Sequence, residues 1–185
     1  MARHASKARR KPAAASVRPS HQEHKAHSLK KIGCMVITCS DTRTSATDTS
    51  GWLIRRELQA AGHEVTAYHL VKDEPALIKA LIKEAAADKR IQAVLINGGT
   101  GISRRDSTFE AIDELLEKRL VGFGEIFRYL TYQDIGSPAI MSRATAGLYK
   151  GRVVISTPGS EGAVRLAMEK LILPELGHMV REAAK

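Results

Sequence analysis

The chain lacks any apolar run approaching the roughly 20 residues a membrane-spanning helix requires, so a soluble protein is expected. Cysteine is nearly absent. Cys34 and Cys39 are the only two, and they sit on one predicted strand. Their odd spacing points them to opposite faces, where they cannot bridge each other. No CxxC pair suggests zinc, so buried free thiols in a reducing cytoplasm are the expectation. His4, His21, His24 and His27 show no regular ligand spacing, and no internal repeat is present.

Acidic residues are scarce in one segment only. Met1 to Lys31 carry nine Lys or Arg against one Glu, whereas the remainder holds twenty basic and nineteen acidic residues. Eight of the nine net positive charges therefore belong to Met1 to Lys31, and residues 1–30 are poor in large apolar residues and broken by Pro12 and Pro19. Such composition predicts a disordered tail, followed by one α/β domain over residues 31–185. Weak nucleic-acid or acidic-partner contacts are open to this tail. An organelle transit peptide also fits its composition, but the prolines interrupt any amphipathic helix.

What the chain does have is a dense centre, IQAVLINGGTGISRRDSTFEA, from Ile91 to Ala111. Ala93 to Ile96 read as a short buried strand. Gly98, Gly99, Thr100 and Gly101 follow Asn97 directly, and three glycines in four positions permit positive φ and close approach of a ligand to the backbone. Ser107 with Glu110 makes a capping-box pattern, so a helix is expected there. Strand, glycine turn and helix start suit phosphate binding, with Asp106 at the rim.

The flanking chain supports this centre. Ile32 to Cys39 predict a strand buried on both faces, with Ser40 and Asp41 at its carboxyl end, where open α/β sheets place ligands. Asp48 reads as a helix cap before a stripe of Trp52, Leu53, Leu58 and Ala61 that Gly62 ends. Glu64 to Val71 predict a second strand and Ala76 to Ala87 a helix with Leu77, Leu81, Ile82 and Ala85 inward. Beyond the centre, the reading is helices over Thr108–Leu116 and Ile126–Tyr132, strands over Ser137–Met141 and Val153–Ser156, and a final helix broken by Pro174. Residues 142–147 read as a polar loop. Alternating strands and helices imply a mostly parallel sheet with helices on both faces. The loops at 40–50, 72–75, 98–106, 142–147 and 157–160 could share one end of it.

NGGTGISRRDSTFEA, GFGEIFRYL, IMSRATAG and STPGS, in this order, resemble the MoaB/MogA family of molybdenum cofactor biosynthesis proteins. The resemblance runs from about Lys31 to the end of the chain and leans towards MoaB. It implies a three-layer α/β/α fold and a homo-oligomer, trimeric or hexameric. It also implies an adenylyltransferase: the terminal phosphate of molybdopterin attacks the α-phosphate of ATP, and pyrophosphate leaves. Such chemistry uses Mg²⁺ held by one or two carboxylates, and the family's two important acids fall on Asp73 and Asp106. By the same resemblance Ser40, Asp41, Gly98, Gly99, Thr100, Gly101, Arg105, Ser142, Arg143, Pro158, Gly159 and Ser160 are candidates for binding the pterin or its phosphates.

Plainer roles stand beside these. Asp106 and Asp73 are also good helix-start acids, Ser142 and Arg143 an ordinary loop end, and Pro158 to Ser160 a turn with a cap. Phe109 stands where catalytic members have Pro. A molybdopterin-binding or scaffold paralogue without turnover is the alternative function, and a nucleotide-processing enzyme akin to CinA a more distant one.

Overall fold

The computed structural model describes residues 29–103 and 106–185. The basic segment before residue 29, with its expected disorder, lies outside the described residues, as do Arg104 and Arg105. Leu29 N–H already donates to the carbonyl of Gly177.

Strands β1 (Gly33–Cys39), β2 (Glu64–Val71), β3 (Ala93–Asn97), β4 (Lys118–Arg119), β5 (Thr145–Tyr149) and β6 (Arg152–Thr157) form one sheet in the order β2-β1-β3-β6-β5-β4. β2, β1, β3 and β6 run parallel, and β5 and β4 are antiparallel additions at one edge. Helices α1 (Thr49–Ala60), α4 (Val121–Ile135), α5 (Glu161–Ala167) and α6 (Leu173–Ala183) cover one face, where Leu53, Leu58, Phe127, Val164 and Leu176 meet Cys34 and Val36. Helices α2 (Pro75–Ala87) and α3 (Thr108–Leu115) cover the other, where Ile78, Ile82 and Ile112 meet Met35, Ile37 and Cys39. The fold is thus three-layer α/β/α. Both faces of β1 are buried, as a doubly covered parallel strand requires, and the two free cysteines lie on opposite sides of the sheet.

Several local expectations need correction. Ser137–Met141 is a 3₁₀ helix, not a strand. Gly136 ends α4 at a φ of 72°, and Pro138, which has no N–H to give a ladder, starts the tight turn. The strand is instead Thr145–Tyr149, which begins within the segment 142–147 read as loop. Its small residues reflect close packing: a Cβ on Gly147 would fall 2.2 Å from the Lys118 carbonyl, and one on Gly124 2.6 Å from that of Ala144.

Pro174 does not break the last helix. A π-helical turn over Met168–Ile172 precedes it, with Leu173 N–H donating to Met168 five residues back, and α6 continues. That widened turn redirects the ladder where the proline removes a donor. On α1 the buried stripe is Ser50, Gly51, Leu53, Ile54 and Leu58, and Trp52 is exposed beside Arg56. On α2, Ile78 rather than Leu77 faces the core.

The order of connections creates the site. From β1 the chain goes to β2 on one side, then returns to place β3 on the other. The crevice outside the carboxyl ends of β1 and β3 is therefore a topological switch point, the usual ligand position in an open α/β sheet.

Candidate functional site

A cleft of about 330 Å³ opens at that switch point, lined by Cys39, Ser40, Arg43, Gly98 to Gly101, Asp106, Met141, Ser142, Pro158 and Gly159. The glycine turn is its floor. Gly98 and Gly99 have φ of 95° and 61°, a region that strains any other residue. Gly98 N–H donates to Thr157, and the carbonyl of Gly99 accepts from Thr108 N–H, which ties the turn to β6 and to α3. Gly159 approaches so closely that a Cβ there would sit 3.0 Å from Gly98 Cα.

Two carboxylates flank this turn. A Cβ on Gly99 would fall 2.4 Å from an Asp73 oxygen, and one on Gly101 2.5 Å from an Asp106 oxygen. Asp73 accepts hydrogen bonds from the hydroxyls of Thr108 (2.7 Å) and Ser107 (3.4 Å), and its own N–H donates to Asp41. Ser107 consequently makes no side-chain cap on α3, and Glu110 turns to Arg143, so the expected capping box is not formed. Asp106 accepts from Ser103 N–H at 3.0 Å. Hydrogen bonds from the Ser103 hydroxyl foremost, with the backbone N–H groups of Ser103 and Gly101 and the charge of Arg143, hold its carboxyl below the usual carboxylate range against a partial burial cost.

The remaining candidates divide by what already engages them. Ser40 Oγ accepts from Thr42 and Arg43 N–H, shaping the turn after β1. Ser160 Oγ caps α5 through Ala163 N–H and is not part of the cleft lining. Arg143 donates to the carbonyls of Thr100 (2.8 Å) and Gly101 and to Glu110, and its guanidinium lies 4.8 Å from the Phe109 ring centroid. It braces the glycine turn from behind. Ser142, Pro158 and Gly159 line the cleft directly.

A model of the family described as "Probable molybdopterin binding domain" matches residues 35–178. The chain belongs to this family. Molybdenum cofactor biosynthesis protein B of Bacillus subtilis is 56% identical over 167 residues, 90% of this chain and 98% of that protein. A crystal structure of Molybdenum cofactor biosynthesis protein B superimposes with a TM-score of 0.82 at 51% identity, covering 84% of this chain and 97% of the other. The tungsten cofactor synthesizing protein MoaB from Pyrococcus furiosus gives a TM-score of 0.77 at 36% identity over 85% of this chain and all of that one.

Within this MoaB-like frame the structure adds Arg43, which the sequence reading missed. It is the basic side chain among the described lining residues of the cleft. Its guanidinium donates to the Gly159 carbonyl at 2.8 Å and to Asp48 at 3.2 Å. The available signal was an arginine just past a strand end with an aspartate five residues on. Asp48 proves to be more than a cap. It is 2% exposed and accepts from Thr38 and Tyr68 hydroxyls, both at 2.6 Å, besides capping Gly51 N–H. Thr38 Oγ1 in turn accepts from the Asn97 amide at 2.9 Å. A polar network thus runs beneath the glycine turn from β3 to β2.

Burial pushes the Asp48 carboxyl up, but the Thr38, Tyr68 and Gly51 donors and Arg43 outweigh it and leave the group below its ordinary value. Stability from a depressed carboxylate is present above the unfolded pKa of about 3.9 and is lost as pH falls through the lower folded value. Asp48→Asn is expected to cost about 2–4 kcal/mol at neutral pH. Urea unfolding should show that gap narrowing near pH 3, and a gap independent of pH would mean the charge itself contributes nothing. Cys39 also lines the cleft, yet burial pushes its thiol up to about 12, so it offers no thiolate at neutral pH.

The donor set suits magnesium. No three His, Cys, Asp or Glu side chains cluster as a metal cage among the described residues. Of the two carboxylates beside the glycine turn, Asp106 lines the cleft and Asp73, bonded to Thr108 and Ser107, does not; so small a set of protein oxygens suits an ion that keeps water and phosphate oxygens in its shell. Also among the described residues, no helix is long and apolar enough to cross a membrane.

Proposed function

We propose that this protein acts in molybdenum cofactor biosynthesis by binding molybdopterin and adenylylating its terminal phosphate with Mg-ATP. The supporting observation is the positive-φ glycine turn flanked by Asp73 and Asp106 at the switch-point cleft of a MoaB-like chain. An oxygen of the pterin phosphate attacks the α-phosphorus of ATP, the bond to the β-phosphate oxygen breaks, and pyrophosphate departs. Gly98 to Gly101 let phosphate oxygens reach the backbone. Arg43, oriented by Asp48 and Gly159, places positive charge where the polyphosphate would lie. Asp73 and Asp106 would hold magnesium, which supplies charge neutralisation for the leaving group. Arg143 keeps the turn in shape.

The test is incubation with Mg-ATP and freshly prepared molybdopterin, measuring pyrophosphate and adenylyl-molybdopterin. Product that depends on the pterin supports the reading. A binding paralogue without turnover is the second reading, favoured by Arg143 being engaged by the turn carbonyls, Glu110 and Phe109 rather than facing a ligand. It predicts pterin affinity without pyrophosphate.

A homo-oligomer, trimer or hexamer, belongs to the same proposal. Tyr129, Tyr132, Ile135 and Ile140 expose a shared apolar surface on α4 and the 3₁₀ helix, with Ile140 84% exposed. Such a patch marks an interaction surface. Tyr132→Glu with Ile140→Glu is expected to shift the sedimentation coefficient to a smaller species, and an unchanged coefficient would move the interface elsewhere.

A further inference from the structure

A second groove, of about 430 Å³, lies between α1 and the edge strand β2 and shares no lining residue with the cleft. Its walls carry two arginines, each laid over an aromatic ring. Arg55 sits 4.1 Å from the Tyr68 centroid and Arg56 4.6 Å from that of Trp52. No carboxylate is among the described lining residues. Arg56 pairs with the neighbouring Glu57, an exposed contact of little strength.

The edge strand is irregular here. The register of β1 against β2 slips between Cys34 and Met35, whose partners are Val65 and Ala67, leaving Thr66 as an extra residue. Bulges of this kind re-aim a side chain and spoil an edge for strand addition. Thr66 lines the groove, and its buried hydroxyl oxygen has no hydrogen-bond partner among the described residues. An extended peptide pairing along β2 is therefore disfavoured, whereas the volume falls within the range of small-molecule sites.

We propose that this groove binds a small phosphorylated aromatic molecule of the mononucleotide class. Guanidinium groups already held over the Tyr68 and Trp52 rings offer a planar cationic face on which a base stacks. Their N–H groups provide the forked donors that phosphate oxygens take. The groove also touches the cleft's support, because Tyr68, which lines it, donates its hydroxyl to Asp48, which holds Arg43.

Trp52 is the only tryptophan of the chain, so its fluorescence reports on the groove. The full chain is titrated with AMP, adenosine and inorganic phosphate, with calorimetry in parallel. Saturable binding of AMP, at least about tenfold tighter than either fragment, is expected. Loss of about tenfold or more in Arg55→Ala/Arg56→Ala is expected as well, and a smaller loss in Arg56→Ala. The single variant guards against misfolding, since Arg55 also donates to the Gly51 carbonyl. No saturable signal, binding of phosphate alone as tight as AMP, or unchanged affinity in both variants overturns the proposal. None of these readouts involves pterin or pyrophosphate, so the reading of the cleft stands or falls separately.

Discussion

Asp106→Asn is expected to lower pterin-dependent pyrophosphate release by about 10²–10³-fold, the usual cost of removing a group that stabilises charge in the transition state. The substitution is nearly isosteric. An amide oxygen at that position still accepts the Ser103 N–H bond that shapes the turn, so the loop keeps its path while the negative charge is lost. Two readouts separate the roles of this residue. If Asp106 holds magnesium, the variant needs a higher magnesium concentration for half-maximal activity. If it only shapes the turn, activity and magnesium dependence stay close to wild type. A variant that unfolds or dissociates would show the carboxylate to be structural. Asp73 invites the same substitution, but its oxygens already take the Thr108 and Ser107 hydroxyls. Asp73→Asn should therefore disturb the start of α3 as well as any bound ion.

The second large effect is on folding. Gly98→Ala is expected to destabilise the protein by about 2–4 kcal/mol. A Cβ at that position would fall 2.1 Å from the carbonyl oxygen of Cys39, a backbone atom of a central strand that cannot rotate away, and the φ of 95° is strained for any side chain. Relief requires β1 and β3 to separate at the floor of the cleft. Chemical denaturation measures the loss directly. Gly122→Ala is the control, because nothing lies within 4 Å of a Cβ there, and a helical alanine is more favourable than glycine. Equal stabilities for the two variants would sink the claim that the turn is sterically committed.

Much of the fold was legible because its central strands are short apolar runs ended by polar or glycine turns. β1 and β3 are enclosed on both faces, and the residues that follow them carry the ligand-facing chemistry. The errors cluster where propensity is weak. Ser137–Met141 contains the apolar residues of a strand but also Pro138, and the strand Thr145–Tyr149 was obscured because Gly147 is kept small by the close approach of Lys118 and Ala144 lies against Gly124. Local pattern records neither neighbour. The helical stripes were right at Leu53, Leu58, Ile82 and Ala85 but wrong at one large residue each: Trp52 and Leu77 are apolar, yet the packing direction of α1 and α2 leaves both exposed.

The candidate site divides along the same line. Gly98, Gly99, Thr100, Gly101 and Asp106 lie within nine consecutive residues, and their proximity follows from chain connectivity alone. Ser40, Pro158 and Gly159 join them only because parallel strands β1, β3 and β6 end at one edge, and Ser142 because antiparallel β5 begins beside the end of β6. Arg43 had only the local hint of Asp48 five residues on, because its other partner, the Gly159 carbonyl, is brought to it by the fold. Capping illustrates the contrast well. Ser160 caps its helix as local pattern predicts, whereas Ser107 does not, because Asp73 from a distant loop competes for its hydroxyl. Sequence by itself determined the four parallel strands, the glycine turn and the family, since backbone sterics and hydrophobic burial act at short range. Tertiary structure decided which hydroxyls, carboxylates and guanidinium groups meet, because hydrogen bonds and charge pairs depend on distances that only the closed sheet establishes.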